Sequence, residues 1–390
     1  MLGTFIKRYL PVLLSISVPA TSAAQPQLSD PPSPPSAEDA PIAYLIDAAN
    51  GQVLFAREAD RRFMPASITK TMTIFLAFEM MEEGKLTQDK RVAVSPAMFK
   101  AWRGVGSTMF LDAQDQVRID DLIHGIATVS ANDGAAVLAE GAAGSVRQWV
   151  DAMNAKAQDI GMSDSRFGTP NGWMDEGRTF VTARDLGTLA HTMIERHPAK
   201  YAHYVGKREF RFNEITQPNH DPLSGVVPGA DGIKTGFTNQ AGYGYLGSAR
   251  RGDRRLILVV AGSPRGTARN RAARDLLEWG FTNFDEKVLA TAGVEIGTAE
   301  VQGGKDRYVG LAPREGVHIN LPHDRTPTMT TRIVYEGPLR APIAKGETVA
   351  HLEVSAGPLG TFEIPLAATA NVDEATPIWR TFNAILGWFS

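Results

Sequence analysis

No cysteine occurs anywhere in the 390 residues. That excludes disulfides, thiolate metal ligands and a cysteine nucleophile. A large excess of one charge sign is missing too. The chain has 40 Lys and Arg against 43 Asp and Glu, a net −3, which makes no general case for nucleic-acid binding. Internal repeats and long charge runs are absent. The apolar run near the N-terminus, about Tyr9 to Ala20, falls short of the roughly 20 residues that span a bilayer. Metal-site spacing is lacking as well. His191, His197 and His203 read as ordinary helix-surface histidines, and neither a metal nor a cofactor is expected.

What is present points to packed cores. Hydrophobic residues make up 43% and charged residues 21%, enough for two or three folded domains. The first residues have a distinct layout. Lys7 and Arg8 precede the apolar run, and the small residues Thr21-Ser22-Ala23-Ala24 follow it. This predicts a secretory signal peptide over 1–24, cleaved after Ala23 or Ala24. A proline-rich leader, 25–38, comes next.

"PIAYLIDAANGQVLFARE" reads as two strands joined at Asn50-Gly51. An apolar helix from about Ser67 to Glu83 follows, stopped by Gly84. From Ile119 to about Ile160 the pattern is helical, broken near "SANDG" and "GAAGS". "GIKTGF", "GYGYLGSARR" and "RRLILVVAG" read as three adjacent strands turning near Gly252-Asp253. After about Asp285 helices stop and six short strand-like runs succeed one another between Gly and Pro signals. The expected organisation is a domain over 39–284, an all-β domain over 285–374 and a terminal helix over 375–390.

That last helix is amphipathic in pattern. Ile378, Phe382, Ile385, Leu386 and Phe389 share one face, and Trp379 and Trp388 flank it. It is too short to cross the hydrocarbon core, so it is expected to lie in a membrane surface; docking on the chain's own β domain or on a second copy is the alternative.

The chemistry begins at Ser67. Lys70 follows three residues on, which places the amine beside the hydroxyl on one helix face. Serine needs a base to act as a nucleophile. Lysine becomes one if burial or a second cation lowers its pKa. An N-cap serine followed by a surface lysine would give the same pattern. Two further stretches weigh against that: Ser130-Ala131-Asn132 between helices, and Lys234-Thr235-Gly236 on a strand. Each of the three patterns occurs once, and such a set marks β-lactamases and penicillin-binding proteins.

With "MPASITKTMT", "VSANDGA", "DGIKTGFTNQAGYGYLGSA" and "LLEWGFTNF", the chain resembles the D-alanyl-D-alanine carboxypeptidases among the low-molecular-mass penicillin-binding proteins. The resemblance implies an α/β catalytic domain with helices around an antiparallel sheet, and a small all-β domain behind it. It implies that Ser67 attacks the carbonyl between the two terminal D-alanines of a peptidoglycan stem peptide. Lys70 would take the serine proton, and Ser130 would relay one to the leaving amine. Asn132 would hold Lys70 and bond a substrate amide, while Lys234 and Thr235 bind the terminal carboxylate. Backbone N–H groups of Ser67 and Phe237 would form the oxyanion hole. Gly236 would leave the strand open to an approaching peptide. β-Lactams would acylate the same serine. The periplasmic side of the inner membrane is the implied location.

Two places depart from the family pattern. Members carry histidine after Lys-Thr-Gly where this chain has Phe237. The arginine that helps hold the carboxylate falls, by counting, at Arg269, in a different local sequence; a solvated arginine on a basic helix is the alternative. Asp175 and Glu176 lie in a loop resembling one that borders the family's active site. A β-lactamase, a transpeptidase or a non-catalytic wall-binding scaffold would share parts of this pattern. No oligomeric state follows from it.

Overall fold

A computed structural model describes residues 6–11, 33–323, 329–355 and 361–375. The described chain divides into two compact units. One runs from Pro31 to Thr282 without the turn Ala49–Gln52; the other takes that turn and everything from Asn283 onward, together with the N-terminal strand.

The first unit is built on a five-stranded antiparallel sheet. In chain order its main elements are β1 (Ile42–Asp47), β2 (Val53–Arg57), α1 (Lys70–Glu82), α2 (Ile119–Val129), α3 (Asn132–Ala143), α4 (Val146–Asp159), α5 (Ala183–Arg196), α6 (Pro198–Tyr204), β3 (Ala230–Thr238), β4 (Gly242–Arg251), β5 (Arg254–Ser263) and α7 (Gly266–Thr282). The strand order is β2-β1-β5-β4-β3, so β3 is an edge.

Every residue of β1 is buried. Alternate side chains face opposite sides of a strand, and here both sides are covered. Tyr44 packs at Gly187 of α5 and Leu45 at Gly280 of α7. The β4–β5 hairpin turns at Gly252-Asp253, between the pair Arg251 and Arg254. The β1–β2 connection is wider than the tight Asn50-Gly51 turn the sequence predicts, because the strands end at Asp47 and resume only at Val53.

α1 has no polar side: its residues Lys70 to Phe78 are all buried, as expected for a helix that runs through a core. Its start differs from expectation. One turn of 3-10 helix, Ala66–Thr69, precedes it and carries Ser67. α2 is amphipathic, with Asp120 and Asp121 in its first turn, where carboxylates complement the helix dipole. It ends on Ser130 in a left-handed conformation, φ 61°.

The second unit is all-β. Its larger sheet contains Gly297–Gln302, Tyr308–Pro313, Thr330–Gly337, Thr348–Ser355 and Thr361–Ala368, with Leu339–Arg340 at one edge and Ile6–Pro11 at the other. Val317–Pro322 pairs instead with Phe284–Ala290. All six runs expected after Asp285 are strands; Phe284–Ala290 and the two-residue Leu339–Arg340 are further strands that the sequence reading left out. Its core gathers Leu311, Ile319, Ile333, Leu352 and Leu366.

Most of the expected signal peptide and all of the terminal helix beyond 375 lie outside the described residues. Among the described residues no helix is long and apolar enough to cross a membrane.

Candidate active site

Ser67 is set in a gripped turn. Ala66 before it has φ 49°, a left-handed value uncommon for a residue with a Cβ. Gly172 presses on one side, where a Cβ would meet Ala66 O at 1.8 Å. Gly236 of β3 presses on the other, where a Cβ would meet Pro65 O at 2.4 Å. This gives Gly236 a reason besides the expected one, an open path for a peptide. Its missing side chain makes room for the turn that carries Ser67.

The Lys70 amine is wholly buried, 0% exposed. Its Nζ lies 2.8 Å from Ser67 Oγ, 2.7 Å from Asn132 Oδ1 and 2.8 Å from the backbone oxygen of Asn171. Burial first, then the Lys234 charge, hold its pKa well below the usual lysine range. Asp133 acts weakly the other way.

Asn132 opens α3 and is clamped by the preceding loop. Its Nδ2 donates to Val105 O and its backbone N–H to Ser107 O. Asp133 fixes that loop by accepting from the N–H groups of Met109 and Leu111. The loop holding Asn171 is pinned to α1 a turn further on, where Thr73 Oγ1 donates to Pro170 O at 2.6 Å.

Lys234 points from β3 and is 3% exposed. Burial and then the charge of Arg269 lower its pKa to about 7, while Asp221 opposes them. Ser67, Ser130, Asn132, Thr235, Gly236, Phe237 and Arg269 all line one cleft of about 560 Å³. Lys70 and Lys234 sit beneath its surface.

Arg269, from the first turns of α7, donates to Gly244 O and Asn270 Oδ1 and still reaches the cleft. It is not a fully solvated residue. Phe237 is 46% exposed and stacks on Tyr243 with ring centroids 4.1 Å apart.

The arrangement joins a hydroxyl, a buried amine and a cationic end able to hold a carboxylate. Residues 29–265 match the family model described as D-alanyl-D-alanine carboxypeptidase. The chain belongs to that family. Residues 284–374 match the model described as penicillin-binding protein 5, C-terminal domain. D-alanyl-D-alanine carboxypeptidase DacA of Haemophilus influenzae is 33% identical over 78% of this chain and 78% of its own length. DacC of Escherichia coli is 32% identical, over 90% of this chain and 91% of its own. The crystal structure of penicillin-binding protein 5 from Haemophilus influenzae superposes with a TM-score of 0.76 at 32% identity, covering 88% of this chain and 99% of that one. This D-alanyl-D-alanine carboxypeptidase is thus a serine-type peptidase.

Among the residues at the candidate site that sequence reasoning missed are Asn171 and His220. Asn171 acts through its main-chain oxygen, which has no side-chain signature; the Asn-Gly step beside it was the available signal. His220 lines the cleft, and burial with Lys234, Lys70 and Arg269 around it lowers its pKa. Nothing in "QPNHD" marks it. Asp175 does not face the cleft. It is buried, and its carboxylate accepts from Thr179 N–H and Oγ1, which closes the loop on itself. Glu176 does not line the cleft either; Trp173 and Met174 do.

Proposed function

We propose that Ser67 is the nucleophile and Lys70 its base, acting on the terminal D-Ala-D-Ala of peptidoglycan stem pentapeptides. The contact set of the Lys70 amine carries this reading. Two of its three neighbours, Asn132 Oδ1 and Asn171 O, can only accept. A neutral amine has two hydrogens and one lone pair. Both hydrogens go to those oxygens, and the lone pair is left for the Ser67 hydroxyl. The lowered pKa supports the neutral form.

The reaction follows in order. The substrate's free carboxylate is held by Lys234, Thr235 and Arg269. Its backbone adds to the β3 edge as an extended strand. Ser67 Oγ attacks the scissile carbonyl as its proton passes to Lys70. Backbone N–H groups of Ser67 and Phe237 stabilise the oxyanion. Ser130 delivers a proton to the leaving amine and D-alanine departs. Water then hydrolyses the acyl-enzyme. A β-lactam takes the same path as far as the acyl-enzyme.

The decisive experiment measures free D-alanine released from a synthetic pentapeptide. Wild-type protein should release it, and Ser67→Ala should neither release it nor label covalently with penicillin. A stable penicillin adduct on Ser67→Ala would sink the assignment.

The sequence supports export by residues 1–24 and anchoring of 375–390 on the outer face of the inner membrane. Peptidoglycan peptides are then met where the enzyme is held.

A further inference from the structure

Away from the cleft, the first turns of α2 carry Asp120 and His124. They are four residues apart and share a helix face. α6 brings His203 against them. The His124 and His203 rings have centroids 5.0 Å apart. One ligand atom from each of the three residues lies within 4.8 Å of the other two. His203 Nε2 is already 3.4 Å from Asp120 Oδ1.

These lengths can be compared with a tetrahedral centre. Ligand bonds of 2.0–2.1 Å put neighbouring donor atoms roughly 3.3 Å apart. One edge of the tetrahedron therefore stands near its final length. The others close by about 1.5 Å at most, which side-chain rotation supplies. The Tyr204 hydroxyl, fully buried, donates to Asp120 Oδ1 at 2.9 Å. Outer hydrogen bonds of this kind orient a ligating carboxylate. Arg118 Nη1 lies 3.5 Å from Asp120 Oδ2. That cation weakens the site, but it pairs with the other carboxylate oxygen, and Oδ1 can ligate while it accepts from Tyr204.

We propose that Asp120, His124 and His203 bind a zinc-like divalent transition-metal cation, with a fourth position open to water. Two imidazoles and one carboxylate suit zinc, nickel or copper rather than magnesium or calcium. The cation would fasten the start of α2 to α6, on the same helix that ends at Ser130. Spacing along the chain could not reveal the site, because His203 comes from another helix.

The test uses the full chain, stripped with a chelator and titrated with zinc against a chromogenic indicator. Wild-type protein is expected to take one zinc per chain with micromolar or tighter affinity. His203→Ala, at an exposed position, should weaken binding by about tenfold or more, and His124→Asn should do the same. His191→Ala, outside the cluster, should bind as wild type does. Cobalt(II) should give the visible absorption of a four-coordinate site in wild type and lose it in His203→Ala. The proposal is overturned if wild type binds no better than His203→Ala, or if His191→Ala loses as much as His203→Ala.

Discussion

Replacing Gly236 with alanine tests how the nucleophile is held. The added methyl would sit 2.4 Å from Pro65 O and 3.0 Å from Ile68 Cγ1. A carbon and a carbonyl oxygen rest at about 3.3 Å or more. The turn bearing Ser67 and strand β3 must therefore part by about 0.9 Å. Ser67 cannot follow freely, because Gly172 also packs closely against Ala66. Misplacement of reacting groups by about 1 Å costs on the order of 100-fold in rate, or about 2.7 kcal/mol in the barrier. Overpacking costs roughly 1–3 kcal/mol in stability, which a core of this size absorbs. The assay is the second-order rate of acylation by a fluorescent penicillin, with D-alanine release measured in parallel. Far-UV circular dichroism and a melting curve check the fold. Acylation should fall about 100-fold while the melting transition stays cooperative. If the variant acylates within about threefold of wild type, the packing argument is wrong.

Lys70→Arg should lose acylation as fully as Lys70→Ala, because arginine stays charged and offers no lone pair; a rate near wild type would mean Lys70 serves only as a positive charge. In the proposed mechanism Lys234 must be protonated to hold the substrate carboxylate, and its pKa is lowered to about 7. Its charge is complete below that pH and lost above it, so kcat/KM should fall as pH rises through about 7. Lys234→Arg should remove that alkaline limb, and an unchanged profile would assign the limb to another group. Deleting residues 376–390 should leave an active enzyme in the soluble periplasmic fraction; a truncated enzyme that still pellets with membranes would refute the anchor.

The elements were legible where pattern carries the physics. α1 could be read because it is apolar on every side, and the strands beyond Asp285 because Gly and Pro punctuate them. Ser67, Lys70, Ser130, Asn132 and Lys234 could be singled out because side chains at characteristic spacings mark them. The rest of the site escaped for the opposite reason. Asn171 contributes a main-chain oxygen, and Gly236 contributes an absence whose meaning depends on Pro65, 171 residues earlier in the chain. Asp175 looked like a free loop carboxylate, but Thr179 consumes it. The 3-10 turn at Ser67 is set by tertiary contacts from Gly172 and Gly236, which local propensity does not encode.

The double grip on the Ser67 turn also limits how the enzyme can escape inhibition. Single substitutions at Gly172 or Gly236 are predicted to damage the chemistry that any altered enzyme must keep. The third hold on Lys70 is peptide backbone, present whatever side chain occupies position 171. The wall around the proposed nucleophile therefore leaves little room for single substitutions. Variation that spares turnover is expected instead among the other residues that line the cleft, such as Phe237, Met174 and Asn239.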